Sequence, residues 1–171
     1  QRGRLGHGAR CLCWVGDLGL CVGYGDGNLR CYYGHSTTTT KKTLTKEWEI
    51  QAHRAALTAV VCRLSKEIAY LVSGSEDGSV RVWNLSTRQM AAQFAKRHAP
   101  VVGLVLDSEL STRFHSAGAS DLFTYELERE RPVAAHVRGH GAPYTCLAQR
   151  RGDNEREELV AADSNGSLSV W

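Results

Sequence analysis

The feature that most constrains this chain is a unit that recurs four times along its 171 residues. Each unit opens on a histidine and closes on an aromatic residue near a turn. The first runs from His7 through Gly25-Asp26-Gly27-Asn28-Leu29-Arg30-Cys31-Tyr32. The second runs from His53 through Ser73-Gly74-Ser75-Glu76-Asp77-Gly78-Ser79-Val80-Arg81-Val82-Trp83. The third runs from His98 through Ser116-Ala117-Gly118-Ala119-Ser120-Asp121-Leu122-Phe123-Thr124-Tyr125, and the fourth from His140 through Ala161-Ala162-Asp163-Ser164-Asn165-Gly166-Ser167-Leu168-Ser169-Val170-Trp171. The leading histidines step by 46, 45 and 42 residues, and the closing aromatics by 51, 42 and 46. Four strands of five or six residues, joined by short turns, occupy about that length. A period near 40–45 is what a four-stranded propeller blade needs.

Within a unit the local pattern is β. Apolar stretches follow the histidines, as in Leu57-Thr58-Ala59-Val60-Val61-Cys62 and Val101-Val102-Gly103-Leu104-Val105-Leu106. A second strand such as Ala69-Tyr70-Leu71-Val72-Ser73 precedes Asp26-Gly27, Asp77-Gly78 or Asn165-Gly166. Such pairs are strong hairpin signals and predict a turn with positive φ at both positions. The third strand alternates, as in Ser79-Val80-Arg81-Val82-Trp83, and the fourth is weaker, as in Gln89-Met90-Ala91-Ala92-Gln93-Phe94. No long apolar period of 3.6 residues occurs, so little helix is expected.

The stretch Ser73-Gly74-Ser75-Glu76-Asp77-Gly78-Ser79-Val80-Arg81-Val82-Trp83-Asn84 resembles the signature of WD-repeat propellers, the family that includes the β subunit of heterotrimeric G proteins. The likeness extends along the chain and is strongest in the second unit. It implies an all-β fold: an arc of about four antiparallel four-stranded blades in one segment, 1–171, with approximate units 1–52, 53–97, 98–139 and 140–171. The last unit stops at its third strand. WD propellers close with about seven blades, within the general range of four to eight. The expectation is therefore an incomplete propeller, a fragment whose partners include the remaining blades of the same ring.

The resemblance also assigns a structural hydrogen-bond set: His53, Ser73, Asp77 and Trp83. In the family the indole donates to the serine, the serine to the histidine and the histidine to the aspartate. Serine, histidine and aspartate together also invite a serine-hydrolase reading. No Gly-x-Ser-x-Gly elbow surrounds Ser73, so no catalytic residue is expected and the chain reads as a non-enzyme. The other units degrade the set. Val22 and Tyr32 take the serine and tryptophan positions of the first unit, and Ala161 and Asn165 those of serine and aspartate in the fourth.

Matched onto the family's binding face, the positions three and five after each histidine, and the one before each turn aspartate, point into the propeller mouth. Here these are Arg10, Leu12, Ala56, Thr58, Glu76, Val101, Gly103, Pro143, Thr145 and Ser164. Small and apolar types dominate, which suits a protein or peptide segment. The expected function is a non-catalytic protein–protein interaction scaffold within a multi-protein complex.

Net charge is +3, from 21 basic and 18 acidic residues, and gives little global attraction for nucleic acid. A nucleic-acid or chromatin-associated propeller stays as the alternative, carried by Arg2, Arg4 and Arg10 at one end and Arg138, Arg150 and Arg151 at the other. No apolar run reaches the roughly 20 residues of a spanning helix, and no membrane partner is expected. The six cysteines (Cys11, Cys13, Cys21, Cys31, Cys62 and Cys146) form no CxxC pair. They read as buried free thiols in a reducing, intracellular setting, cytoplasmic with the nucleus and the cilium also open. A zinc site from Cys11, Cys13 and His7 lacks a second ligand pair, so no metal and no cofactor are expected. The mixed-sign run from Arg150 to Glu158 reads as a solvated loop. The polar insert Ser36-Thr37-Thr38-Thr39-Thr40-Lys41-Lys42-Thr43 reads as a surface loop open to phosphorylation, and His115 as a packed histidine.

Overall fold

The computed structural model describes residues 8–17, 19–36, 42–65, 69–94, 99–108, 112–129, 131–137, 141–151 and 157–171. Among these the chain is all β. The first sheet holds β1 (Ala9–Val15), β2 (Gly19–Tyr24), β3 (Asn28–Ser36) and β4 (Lys42–Gln51). The second holds β5 (Leu57–Leu64), β6 (Ala69–Ser75), β7 (Val80–Asn84) and β8 (Gln89–Phe94). The third holds β9 (Gly103–Leu106), β10 (Arg113–Ala117), β11 (Asp121–Glu126) and β12 (Ala134–Val137), and the fourth β13 (Tyr144–Arg151), β14 (Glu157–Asp163) and β15 (Leu168–Val170). Every sheet is antiparallel, and its strands pair in sequence order.

The opening strands β1, β5, β9 and β13 lie side by side, each against the next, and form the inner edge of the arc. Alternation then decides what fills the space between sheets, because successive strand residues face opposite ways. Cys13, Val15, Cys21, Leu29 and Cys31 of the first sheet meet Leu57, Val60, Leu71 and Trp83 of the second. The opposite face of the second sheet, with Tyr70, Val72, Val80, Val82 and Phe94, meets Leu104, Phe114 and Tyr125 of the third. There Phe114 stacks on Tyr125 at 5.0 Å, with Phe94 at 4.5 Å from the same ring. Gly23 and Gly74 hold the places where the next inner strand comes closest. A Cβ on Gly23 would lie 2.8 Å from the Leu57 Cβ, and one on Gly74 2.5 Å from a Val101 methyl.

The hairpin turns differ from the sequence expectation in one respect. Gly27, Gly78 and Gly166 have φ of 82°, 79° and 82°, but Asp26, Asp77 and Asn165 stay at negative φ. Each is thus a type I turn followed by a left-handed glycine, the three-residue hairpin loop. A carboxylate fixes the bend: the Asp26 Oδ1 accepts from the Asn28 amide at 2.9 Å, and the Asp77 Oδ1 from the Ser79 amide at 2.9 Å.

Two further expectations are corrected. Cys21 and Cys31 face each other in register across β2 and β3 and form a disulfide, with Cα atoms 4.2 Å apart. They are not free thiols. Cys11, Cys13, Cys62 and Cys146 are free. The Ser/Thr-rich insert is also less of a loop than expected, because the β3–β4 ladder runs out to the Ser36–Lys42 pair. Residues 37–41 lie outside the described residues, as do His7, His98, His140, Arg2, Arg4 and Arg138.

Candidate functional site

The buried polar chain of the second unit is built by three separate segments. β6 supplies Ser73, β7 supplies Trp83, and the link between β4 and β5 supplies His53. The Trp83 indole N–H donates to the Ser73 Oγ at 2.9 Å, and that oxygen lies 2.7 Å from the His53 Nε2. The other ring nitrogen, Nδ1, is 2.8 Å from the Ser79 Oγ, which donates to the Asp77 Oδ1 at 2.5 Å. The direct His53–Asp77 separation is 3.7 Å, so the chain passes through Ser79, a residue absent from the expected set. Its signal was present in the sequence: a hydroxyl two residues after a turn aspartate can reach that carboxylate.

Counting protons fixes the direction of every bond. Ser79 has one hydroxyl proton, used on Asp77, so His53 must donate from Nδ1. The Nε2 then carries a lone pair and accepts from Ser73, which itself accepts from the indole. His53 is neutral in this arrangement. Burial pushes its imidazole down to about 4, against a smaller upward pull from Asp77. Asp77 is held below the usual carboxylate range, since its bonds to Ser79 and the nearby His53 and Arg81 outweigh burial. Ser73 and His53 are 0% and 1% exposed, so the serine oxygen has no path to a substrate.

A second buried cluster lies in the third unit. The His115 Nδ1 meets the Thr124 Oγ1 at 2.9 Å, and its Nε2 lies 3.8 Å from the Asp107 Oδ2. Arg113 stands between Asp107 at 3.8 Å and Glu126 at 2.6 Å. His115 is packed, as expected from its strand position, and burial lowers its pKa. Asp107 and Arg113 were not singled out from sequence, because no repeat position marks them.

The predicted binding face divides. Arg10 and Glu76 bridge the first and second sheets at 3.0 Å, with about half of each side chain exposed. Pro143, Thr145 and Ser164 are exposed at the same end of the fourth sheet, where the Ser164 amide donates to the Pro143 carbonyl at 3.0 Å. Thr58 is half-buried. Ala56, Val101 and Gly103 are corrected: all three are buried. The Ala56 carbonyl accepts from the Ser75 hydroxyl and the Glu76 amide, and Val101 packs into the core between the second and third sheets. A Cβ on Gly103 would lie 2.8 Å from the Leu147 Cβ. Leu12 is exposed, but on the flank of the first sheet, opposite Val22 and facing away from the second sheet.

At the other ends of the inner strands, Cys13, Trp14, Val61, Cys62, Leu104 and Arg150 line a cleft of about 480 Å³. Arg150 is occupied there by Glu158 at 2.7 Å. Burial raises the Cys13, Cys11 and Cys62 thiols, the last two to about 11, which makes them poor thiolates. No group of three or more metal-ligating side chains occurs among the described residues.

A family model described as WD domain, G-beta repeat, matches residues 44–84, the segment that holds His53, Ser73, Asp77 and Trp83. This segment is a WD repeat, and the chain is similar to WD-repeat proteins. Curated relatives of this WD-repeat chain include Striatin-4 of Mus musculus, 24% identical over 92% of this chain and 23% of that protein. Apoptotic protease-activating factor 1 of Rattus norvegicus is 29% identical over 71% of this chain and 9% of its own length. Telomerase protein component 1 of the same species is 30% identical over 74% and 5%. The WD-repeat chain therefore spans less than a quarter of each of these relatives. Among solved structures, the computationally designed Ika4 protein superposes with a TM-score of 0.71 at 19% identity, covering 99% of this chain and 93% of that one. The designed Ika8 protein gives 0.65 at 20% identity, covering 98% and 47%. Both likenesses concern the fold, an incomplete β-propeller.

Proposed function

We propose that this WD-repeat chain is a non-catalytic scaffold that holds a protein segment across the mouth bounded by Arg10, Glu76, Pro143, Thr145 and Ser164. The observation that carries this reading is the division of polar groups. The serine, histidine and aspartate that resemble a catalytic set spend their protons on one another inside the core. The exposed polar positions gather at turns and strand starts on one end, where a rigid scaffold presents its recognition elements. The WD repeat itself supports the coarser statement, since such repeats serve as interaction modules in complexes.

The nucleic-acid reading has less support. Arg10 and Arg150 are already paired with Glu76 and Glu158, and phosphate binding would have to displace those carboxylates.

Affinity purification from the native source, comparing the wild type with a Glu76→Arg/Thr145→Arg variant, tests the scaffold reading. Both side chains are exposed, so circular dichroism is expected to be unchanged. The expected result is loss of the co-purifying proteins in the variant and their retention after nuclease treatment of the wild type. Proteins retained by the variant, or released by nuclease, contradict it.

A further inference from the structure

Five of the six cysteines meet between the first and second sheets. Cys21 and Cys31 lie in the core there, with Cys11, Cys13 and Cys62 packed against it. Three of them form a row. Cys13 of β1 stands opposite Cys21 of β2, and Cys21 stands opposite Cys31 of β3. Residues directly opposite in a sheet point to the same face, so the three sulfurs lie on one side in strand order. The middle one has a sulfur on each flank. Cys21 is bonded to Cys31, and Cys13 is a free thiol on its other side.

Backbone pairing sets the spacing. The Cα atoms of Cys21 and Cys31 are 4.2 Å apart, the narrow kind of antiparallel pair, whose backbone groups point away from each other. The N–H and C=O of Cys21 therefore point to β1, and Cys13 stands opposite at the wider spacing of about 5.5 Å. A disulfide accepts Cα separations of about 4.4–6.8 Å, so Cys13 and Cys21 are within bonding reach. Access separates the three. Cys21 and Cys31 are 0% and 1% exposed, packed with Leu57, Leu71 and Trp83, and no dissolved thiol reaches them. Cys13 is half-buried and lines the cleft at the ends of the inner strands. It faces the second sheet, on the opposite side of β1 from Leu12 and Trp14, so its place does not depend on what covers that flank. The Cys11 sulfur is held over Gly23 instead, where an added Cβ would lie 2.6 Å from it.

The geometry points to Cys13 as the exchange thiol of the Cys21–Cys31 disulfide: a low-molecular-weight thiol reduces the buried bond through Cys13 and becomes attached there. In the first step the Cys13 sulfur attacks Cys21, in line with the bond to Cys31. The Cys13–Cys21 bond forms, the Cys21–Cys31 bond breaks, and the proton shed by Cys13 ends on Cys31. No net oxidation or reduction has occurred. In the second step a dissolved thiol attacks the Cys13 sulfur at the cleft. It bonds to Cys13, while Cys21 leaves and takes the proton of that thiol. A second molecule of the thiol then displaces Cys13 and departs as a disulfide with the first. The protein bond is thereby reduced by two electrons, and two thiols are oxidised. Such exchange runs through mixed disulfides, at a rate set by the access and the thiolate fraction of the attacker. Burial keeps Cys13 protonated, which makes the first step slow.

Reduced glutathione is the probe. The full chain, folded at pH 8.5, is incubated with it, quenched and alkylated in acid, and cleaved after Arg and Lys without reduction. Cys11, Cys13 and Cys21 then share the peptide 11–30, and Cys31 opens the next one. The expected intermediates are a Cys13–Cys21 link inside 11–30 with Cys31 alkylated, and glutathione on Cys13. Cys13→Ser and Cys13→Val are both expected to slow loss of the Cys21–Cys31 link by about tenfold or more, which separates the missing sulfur from a change in packing. In urea, where glutathione reaches the bond directly, both variants are expected to match the wild type. Cys62→Ser, also at the cleft, is expected to stay within about twofold of the wild type when folded. Equal or faster reduction of the folded Cys13 variants overturns the inference. So does glutathione found on Cys21 or Cys31 in place of Cys13, or slowing by Cys62→Ser in place of the Cys13 variants.

Discussion

The Cα of Gly27 sits beneath the carbonyl of His53, so close that a Cβ there would lie 2.2 Å from the oxygen. The turn of one sheet is thus a seat for the link into the next. The Ala52 and His53 amides both donate to the Gly27 carbonyl at 3.0 Å, and the Gln51 side-chain amide reaches the carbonyls of Asp26 and His53.

Gly27→Ala therefore combines backbone strain at φ 82° with a collision against backbone, and we expect a loss of about 3 kcal/mol or more. Gly166→Ala shares the strain without the collision and is expected to cost about 1 kcal/mol. Urea unfolding of the two variants measures the difference. Equal losses would contradict the seating of His53 on the turn.

Ser73→Ala removes the acceptor of the Trp83 indole and the donor to the His53 Nε2. Leaving both groups buried and unpaired costs about 1–3 kcal/mol each. The expected loss is about 2–5 kcal/mol, seen as a lower Tm. Ser79→Ala tests the newly found link. It should cost at least about 1 kcal/mol and should not be neutral, as it would be if His53 donated to Asp77 directly.

The WD-type fold was legible because its signals are local and repeated: histidine spacing, alternating strands and Asp-Gly turns. The second unit carried every such signal, and Ser73, Asp77 and Trp83 lie near His53 in the structure. Long-range facts were not legible. Nothing in the spacing of Cys21 and Cys31 distinguishes an in-register pair from two free thiols, because register depends on the whole hairpin. Ala56, Val101 and Gly103 were placed at the mouth by counting from the histidine, and such counting cannot tell exposed strand starts from residues under the adjoining sheet. Arg10 and Glu76 were found by the same counting, with no hint that they pair with each other.

Stability is expected to fall on mild acidification. The folded His53 titrates near 4, below the ordinary 6.5 of an unfolded histidine. Between these values the unfolded chain binds a proton that the folded one excludes, so stability is complete above about pH 6.5 and is lost as pH falls toward 4. The shift corresponds to about 3 kcal/mol over that window. Asp77 and Arg81 are the charged groups facing the imidazole, and the Asp77 carboxyl is held below its ordinary range. Urea midpoints at pH 7.5 and 4.5 test the sign. A midpoint that rises or stays level on acidification would contradict a neutral, buried His53.

The Cys21–Cys31 disulfide closes a loop with a sequence separation of 10, for which chain entropy gives about 2–3 kcal/mol. Thiol titration of the unfolded, unreduced protein should count four free cysteines, and reduction should raise the count to six. Six thiols before reduction would contradict the bond.

The scaffold account stands or falls on where a bound protein touches this chain. Hydrogen exchange of the chain, alone and with a partner recovered by affinity purification, locates that contact. The account predicts slowed exchange at the mouth, in residues 75–79, 141–145 and 163–167, with outer strands β4, β8 and β12 unchanged. Protection confined to those outer strands, with the mouth unaffected, would contradict it.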